Sequence, residues 1–359
     1  MEDACRDADA LADSIYYKSF LTFKAVLSLL GCVGVAMQWN RWGVRWLVHT
    51  NTKILFSSYL FWTMMVGFCF GLCYVIDAVR LWLSTGCPLM DYRLVFIARG
   101  TGIAALAAEI FIVLALSFER CYSALKPARF ERTRNPSFAF VMATIPSLAA
   151  IALTFGLLAA PGVNFSALVP TTNLKVPENG DRYQILMWSM VIPELMSICI
   201  FHFDLWVNFY RTPRDDASLS QIYQIEENKR IISTLLPIEY MHSVCALTAT
   251  FGLALYPMIA VEDSSLNKQI FLEICTLPPF FPLLMALTLH YKFVWNPRRR
   301  AATIVSKEEQ GEEYFKGLKN QWGIVNSMER QEGCCTRCTN RCSCCRHVFA
   351  FWKAGCCCH

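Results

Sequence analysis

Charge is what this chain has least of. Asp, Glu, Lys and Arg together make up 17% of its residues, against roughly 25% in an ordinary soluble domain. That deficit excludes a surface wholly in water and fits a chain bathed in lipid, where charge at mid-bilayer is costly. Catalytic signatures are missing as well. There is no His-Glu-x-x-His and no Asp-His-His-Cys, and the six histidines are scattered, so an enzyme at a membrane face lacks its constellation. A haem carrier needs paired histidines on facing helices, for which only His202 and His242 are available. No internal repeat is found, which argues against a transporter built from duplicated halves. No cleavable signal peptide is expected: MEDACRDADALAD is acidic where such a peptide begins basic. The first apolar run is therefore expected to act as its own insertion signal.

What the chain has in abundance is long apolar runs. Hydrophobic residues reach 55% and aromatics 13%. We read seven runs, at 15–37, 52–76, 93–118, 138–160, 183–209, 231–259 and 269–295. Each is about 20 residues or more, enough to cross ~30 Å of hydrocarbon. The expected fold is all-α, a polytopic seven-transmembrane-helix bundle over 15–295, with a short external segment 1–14 and a polar tail 296–359. Pro161, Pro213 and Pro297 fall just beyond runs, where helices stop. Pro146, Pro193 and Pro237 fall inside runs, which a membrane helix tolerates.

Orientation follows from Lys and Arg in the short loops. Arg41, Arg45 and Lys53 flank the first loop, and Arg120, Lys126, Arg129, Arg132 and Arg134 crowd the third. Arg211, Arg214, Lys229 and Arg230 flank the fifth, and Lys292 with Arg298 to Arg300 follows the last run. Alternate loops are poorer, with Arg80 and Arg93, then Lys175 and Arg182, then Lys268. The N-terminus is thus expected outside and the tail inside. The sequon Asn164-Phe165-Ser166 then lies outside as a glycosylation site. Asn135-Pro136-Ser137 is blocked by its proline.

Eighteen cysteines look like a disulfide framework, but their placement says otherwise. Nine crowd the tail: Cys334, Cys335, Cys338, Cys342, Cys344, Cys345, Cys356, Cys357 and Cys358. Cytosolic thiols stay reduced. Basic and aromatic neighbours (Arg337, Arg341, Arg346, Phe349, Phe351, Trp352) suit acylation at the inner leaflet. Zinc held by Cys335, Cys338, Cys342, Cys344 and His347 competes with that reading, though the spacing matches no standard finger. An inert segment is the third alternative. The terminal Cys356-Cys357-Cys358-His359 lacks the aliphatic residues of a prenylation box. Six cysteines lie in apolar runs (Cys32, Cys69, Cys73, Cys199, Cys245, Cys275), where a free thiol behaves as a small hydrophobe. Only Cys5 and Cys87 fall in segments placed outside. Tyr314, Phe315, Leu318 and Trp322 recur at helical spacing, as a helix on the inner leaflet or as a plain tail helix.

The scarce charges mark candidate sites. Glu119-Arg120 closes the third run. It reads either as a two-state switch, Arg released from carboxylates to meet an intracellular partner, or as a snorkelling boundary residue. Tyr223, Gln224, Glu227 and Asn228 open the sixth run on the same side. Glu227 is the expected cross-bundle partner of Arg120, and it equally suits the positive end of a helix dipole. Arg99, Glu194 and Glu273 are ionisable groups inside runs. Such groups face the bundle interior and pair, either lining a ligand pocket or forming a structural ion pair. Glu109, Asp204, Glu239 and His242 read as polar packing or water-network residues.

Four passages together resemble the nematode serpentine chemoreceptors of the Sra superfamily (classes alpha, alpha-beta, beta and epsilon). They are His49-Thr50-Asn51-Thr52-Lys53; Cys87-Pro88-Leu89, with Arg99 twelve residues on; Ser117-Phe118-Glu119-Arg120 with Phe130-Glu131; and Leu219-Ser220-Gln221-Ile222-Tyr223-Gln224 closing on Glu227-Asn228. The last is the most specific. The passages span His49 to Asn228, the seven-run layout extends the likeness to Trp295, and the tail is not covered. The resemblance implies a G-protein-coupled chemosensory receptor in the plasma membrane of sensory neurons. Its partners would be an extracellular small-molecule ligand, a heterotrimeric G protein and the lipid bilayer, with no cofactor, metal or nucleic acid. It strengthens the switch reading of Arg120. Rhodopsin-like features are lacking: the sixth run has Leu236-Pro237-Ile238 and no Cys-Trp-x-Pro, and the seventh has no Asn-Pro-x-x-Tyr. The loop 161–182 has no cysteine to meet Cys87. A membrane enzyme of acyltransferase type and a transporter or channel are the rival readings.

Overall fold

The computed structural model describes residues 2–42, 49–84, 86–126, 130, 136–159, 161–174, 177–210, 219–259 and 265–292. The nine tail cysteines, the Tyr314 to Trp322 stripe and the end of the seventh run lie outside the described residues, as do the side chains of Tyr223 and Gln224. The chain forms α1 (Glu2–Asp13), α2 (Ile15–Trp42), α3 (Thr50–Leu83), β1 (Met90–Asp91), α4 (Tyr92–Leu125), α5 (Pro136–Leu158), β2 (Leu168–Val169), α6 (Gly180–Tyr210), α7 (Leu219–Ile259), α8 (Ser265–Cys275) and α9 (Phe281–His290). Short 3-10 turns precede α6 and α9. Helix is the expected answer for these runs, because in lipid each backbone polar group must find its partner within its own segment.

Among the described residues, six helices, α2 to α7, are long and apolar enough to cross a membrane. The seventh crossing is broken: the α8 segment and the Pro278–His290 segment meet at an angle of 43°. The continuous seventh span expected from the sequence is corrected accordingly. Pro278, Pro279 and Pro282 remove backbone donors and forbid an unbroken ladder. Helix α4 is the central post, packed against α3, α5, α6 and α7, and 78% of its apolar window is buried against 28% for α5. Large hydrophobics such as Leu30, Phe68, Ile145 and Ile192 face outward, as lipid contact requires.

The two helices that cradle α9 owe their closeness to glycine. A Cβ on Gly31 of α2 would lie 2.6 Å from the Leu283 backbone nitrogen, and one on Gly67 of α3 would meet Cys32 Sγ at 2.7 Å and Pro282 Cγ at 2.9 Å. Small residues at such crossings let membrane helices pack without a hydrophobic driving force between them.

The segment before the first crossing is ordered. Helix α1 buries Ala8 and Leu11 and packs against α2, α3 and α8. A Cys5–Cys87 disulfide ties it to the α3–α4 connection, a pairing the sequence reading does not make. The loop of residues 161–174 is held to the same end without a disulfide. Met90 pairs with Val169 and Asp91 with Leu168 in an antiparallel ladder. Tyr92 Oη donates to the Leu174 carbonyl at 2.9 Å, and Asn179 Nδ2 donates to that carbonyl at 2.9 Å.

Candidate functional site

Helix α4 carries three buried polar clusters, around Arg99, Glu109 and Glu119-Arg120. At 1.5 Å per residue, Arg99 and Arg120 stand about 32 Å apart, one near each face of the hydrocarbon. Other helices complete each cluster.

At the end opposite the disulfide, Arg120 is 1% exposed. Its Nε and Nη2 donate to the two carboxylate oxygens of Glu119, and Nη2 also donates to Thr52 Oγ1. Thr52 Oγ1 donates in turn to Glu119 Oε1 at 3.0 Å. Nη1 donates to Asn228 Oδ1 at 2.9 Å, and Ser123 Oγ donates to the same oxygen at 3.1 Å. The guanidinium lies over the Phe130 ring at 5.5 Å, and that ring packs on His49 at 4.5 Å. Asp204 of α6 is fully buried within electrostatic reach of Arg120. Its Oδ1 accepts from Asn208 Nδ2 at 2.8 Å, while its Oδ2 has no hydrogen-bond partner among the described residues. A fork of donors on one carboxylate is the strong geometry for Arg. Removing one member of such a buried pair costs about 3–5 kcal/mol.

The expected Glu227–Arg120 pairing is not formed. Successive helical residues point about 100° apart, and on α7 it is Asn228 that turns to α4. Glu227 turns to the start of α3, where its Oε1 accepts from the His49 backbone N–H at 3.2 Å. A carboxylate there meets an orphan donor and the positive end of the helix dipole. Thr52, Ser123 and Asp204 are cluster members that the sequence reading does not pick out as Arg120 partners.

In the middle of the bundle, Glu109 (α4), Glu194 (α6), Glu239 and His242 (α7) are each at most 4% exposed. His242 Nδ1 meets Glu194 Oε1 at 3.0 Å and Nε2 lies 3.7 Å from Glu109 Oε2. Thr63 donates to Glu109, Ser243 donates to Glu194 at 2.6 Å and Ser197 donates to Glu239 at 2.6 Å. Two carboxyl groups thus meet one imidazole, a third, Glu239, lies close by, and hydroxyl donors fill in. Among the described residues no group of three or more His, Cys, Asp or Glu is placed to hold a metal ion. His202 is exposed and meets Tyr240 Oη at 2.6 Å, so it does not face His242.

At the disulfide end, Lys24 of α2 donates through Nζ to Glu273 Oε2 at 2.6 Å and to the Glu273 carbonyl at 2.8 Å. Arg99 Nη2 reaches Glu273 Oε1 at 3.5 Å. Tyr74 lies beneath both cations, 4.3 Å from Lys24 Nζ and 5.4 Å from the Arg99 guanidinium, with Phe70 at 4.8 Å from the latter. The three candidate ligand residues therefore split. Arg99 and Glu273 meet each other, and Glu194 belongs to the middle cluster. Lys24 carries the signal that marked the others, an ionisable residue inside an apolar run, and the sequence reading passes over it. Asn164 is exposed at this end, its Oδ1 accepting from Ser166 N at 3.0 Å.

Six membrane-length helices and a bent seventh segment packed about α4, with a buried Glu-Arg fork at one end and a disulfide at the other, define a membrane receptor of the serpentine kind. The chain belongs to the serpentine seven-transmembrane G-protein-coupled receptors of class ab, a chemoreceptor family whose model matches residues 2–323. No curated relative matches it. It is a chemosensory G-protein-coupled receptor and a multi-pass membrane protein, not an enzyme. The family match runs past Trp295, so the tail as far as residue 323 is covered and the cysteine-rich end lies outside it.

Proposed function

We propose that the receptor reads an external small molecule at the disulfide end and passes the signal to a heterotrimeric G protein at the Arg120 end. The observation that carries this reading is the single helix α4 with a buried polar cluster at each face and one between. Each cluster is closed by side chains from other helices, so a shift of α4 against its neighbours alters all three. In the resting state Arg120 is restrained by Glu119, Thr52 and Asn228. Activation releases that permanent cation toward the G protein, as a two-state bundle biased by ligand. Tyr223 and Gln224, on the turns of α7 preceding Asn228, join the same coupling surface.

The orientation that fits is N-terminus and disulfide outside, where disulfides persist, with the tail inside and Asn164 glycosylated. The tail cysteines then lie at the inner leaflet as acylation sites, and the protein works in the plasma membrane of sensory neurons. The deciding experiment is nucleotide exchange on candidate Gα subunits in reconstituted vesicles, comparing wild type with Arg120→Ala at equal receptor density. Exchange above background in the wild type and its loss in the variant is the expected result. A reporter fused after Arg300 should read cytoplasmic; a lumenal reading overturns the orientation and the switch with it.

A further inference from the structure

Among the described residues, two buried cations at the disulfide end, Lys24 and Arg99, share one carboxylate, that of Glu273. Arg80, half-buried, is matched by Asp77 close by. Asp77 is committed to Arg80 at 2.9 Å and to Thr172. Glu273 is committed to Lys24, with two short contacts, one to its carboxylate and one to its carbonyl. Beside its stacking on Phe70 and Tyr74, Arg99 has one hydrogen bond, of 3.5 Å to Glu273 through Nη2, and its Nη1 has no hydrogen-bond partner among the described residues. The hydroxyl of Tyr74, fully buried beside it, makes no short hydrogen bond among the described residues and lies within reach of Glu273.

A carboxyl in such a place sheds its charge by taking a proton. A guanidinium cannot shed its own, and it offers five donors in a fixed fork. A buried Arg this poorly paired is costly unless an acceptor arrives from outside the chain. Phe70 and Tyr74 stack against its guanidinium and Tyr183 lies close by, all of them buried aromatic side chains. Such walls favour a ligand whose body is apolar and whose head is charged.

We propose that the ligand of this receptor is an organic anion, a carboxylate or a group of like charge on an apolar body, held by Arg99 with Tyr74 as second donor. This rests on the reading that the disulfide end is the ligand site, and it adds the chemical class. It also makes Glu273 a competitor for the same guanidinium, so the ligand displaces an internal anion when it binds.

The test uses the full chain in nanodiscs of phosphatidylcholine alone, which supply no anionic lipid. Thermal midpoints are followed against hexanoate, hexanol and hexylammonium, three probes of one chain length that differ in head charge. Hexanoate should raise the midpoint saturably at millimolar concentration and the other two should not. Arg99→Gln should weaken the apparent hexanoate affinity by about tenfold or more, the worth of a hydrogen bond to a charged group. Glu273→Gln removes the competing carboxylate and should strengthen hexanoate binding. Opposite signs from two substitutions in one cluster cannot come from misfolding. If hexanol or hexylammonium protects as well as hexanoate and Arg99→Gln abolishes that protection, the site stands and the anionic class is overturned. If no probe protects, or the variants respond like the wild type, both the site and the class fall.

Discussion

Arg120 of α4 donates to the side-chain oxygen of Asn228 on α7 at 2.9 Å, while Glu227, one residue earlier, accepts from the backbone of His49. The charged neighbour is thus spent on capping α3, and a neutral amide closes the restraint on the arginine.

This assignment separates two substitutions. Asn228→Ala should raise basal nucleotide exchange about tenfold while the active fraction remains small, since a hydrogen bond to a charged group is worth ~1.5–3 kcal/mol and 1.4 kcal/mol is a factor of ten. Glu227→Gln keeps an acceptor for His49 and should leave basal exchange near wild type. Exchange assays at matched surface density decide it; a larger effect from Glu227→Gln would return the restraint to that residue.

The Cys5–Cys87 bridge closes a segment of 82 residues in sequence separation. In the chain-entropy account its loss removes up to about 4–5 kcal/mol. Cys5→Ser and Cys87→Ser should lower the thermal midpoint equally, and the double variant should be no worse than either. Unequal single variants would mean that one cysteine has another partner. Non-reducing peptide mapping gives the direct check.

Two glycines should respond with opposite signs. Gly31→Ala places a Cβ 2.6 Å from a backbone nitrogen of α9, and overpacking of that kind costs roughly 1–3 kcal/mol. Gly156 of α5 has nothing within 4 Å of an added Cβ. There Gly156→Ala should stabilise by up to about 1 kcal/mol through helix propensity. Thermal midpoints of the purified receptor compare the two.

In the middle cluster His242 touches both Glu194 and Glu109. His242→Ala leaves those carboxyl groups without their imidazole and should destabilise by about 3–5 kcal/mol. Adding Glu194→Gln should recover part of the loss. A coupling energy of about 0.5–3 kcal/mol in the double-mutant cycle is expected; strict additivity would mean the two side chains do not interact.

Much of the architecture is local and was legible in the sequence. The apolar runs located the crossings, and the scarcity of charge made Arg99, Glu119, Arg120 and Glu273 conspicuous. Cys5 and Cys87 were the two cysteines placed outside, so their bridge lay within reach of a parity argument, although nothing local joined them. The break at Pro278 and Pro279 was equally visible as residue chemistry, yet a continuous run was the expectation because the hydrophobic signal does not fall there.

What the sequence determined by itself is that this chain crosses lipid as helices, because satisfying backbone groups in hydrocarbon is a property of each segment alone. Which side chains meet was decided only in the tertiary structure. Leu30 faces outward while Leu21 is fully buried, and both are leucine, because lipid and protein core ask for the same apolar surface. The rotation of each helix about its axis is therefore not written in its pattern. That rotation is what put Asn228 rather than Glu227 on Arg120, and Lys24 on Glu273.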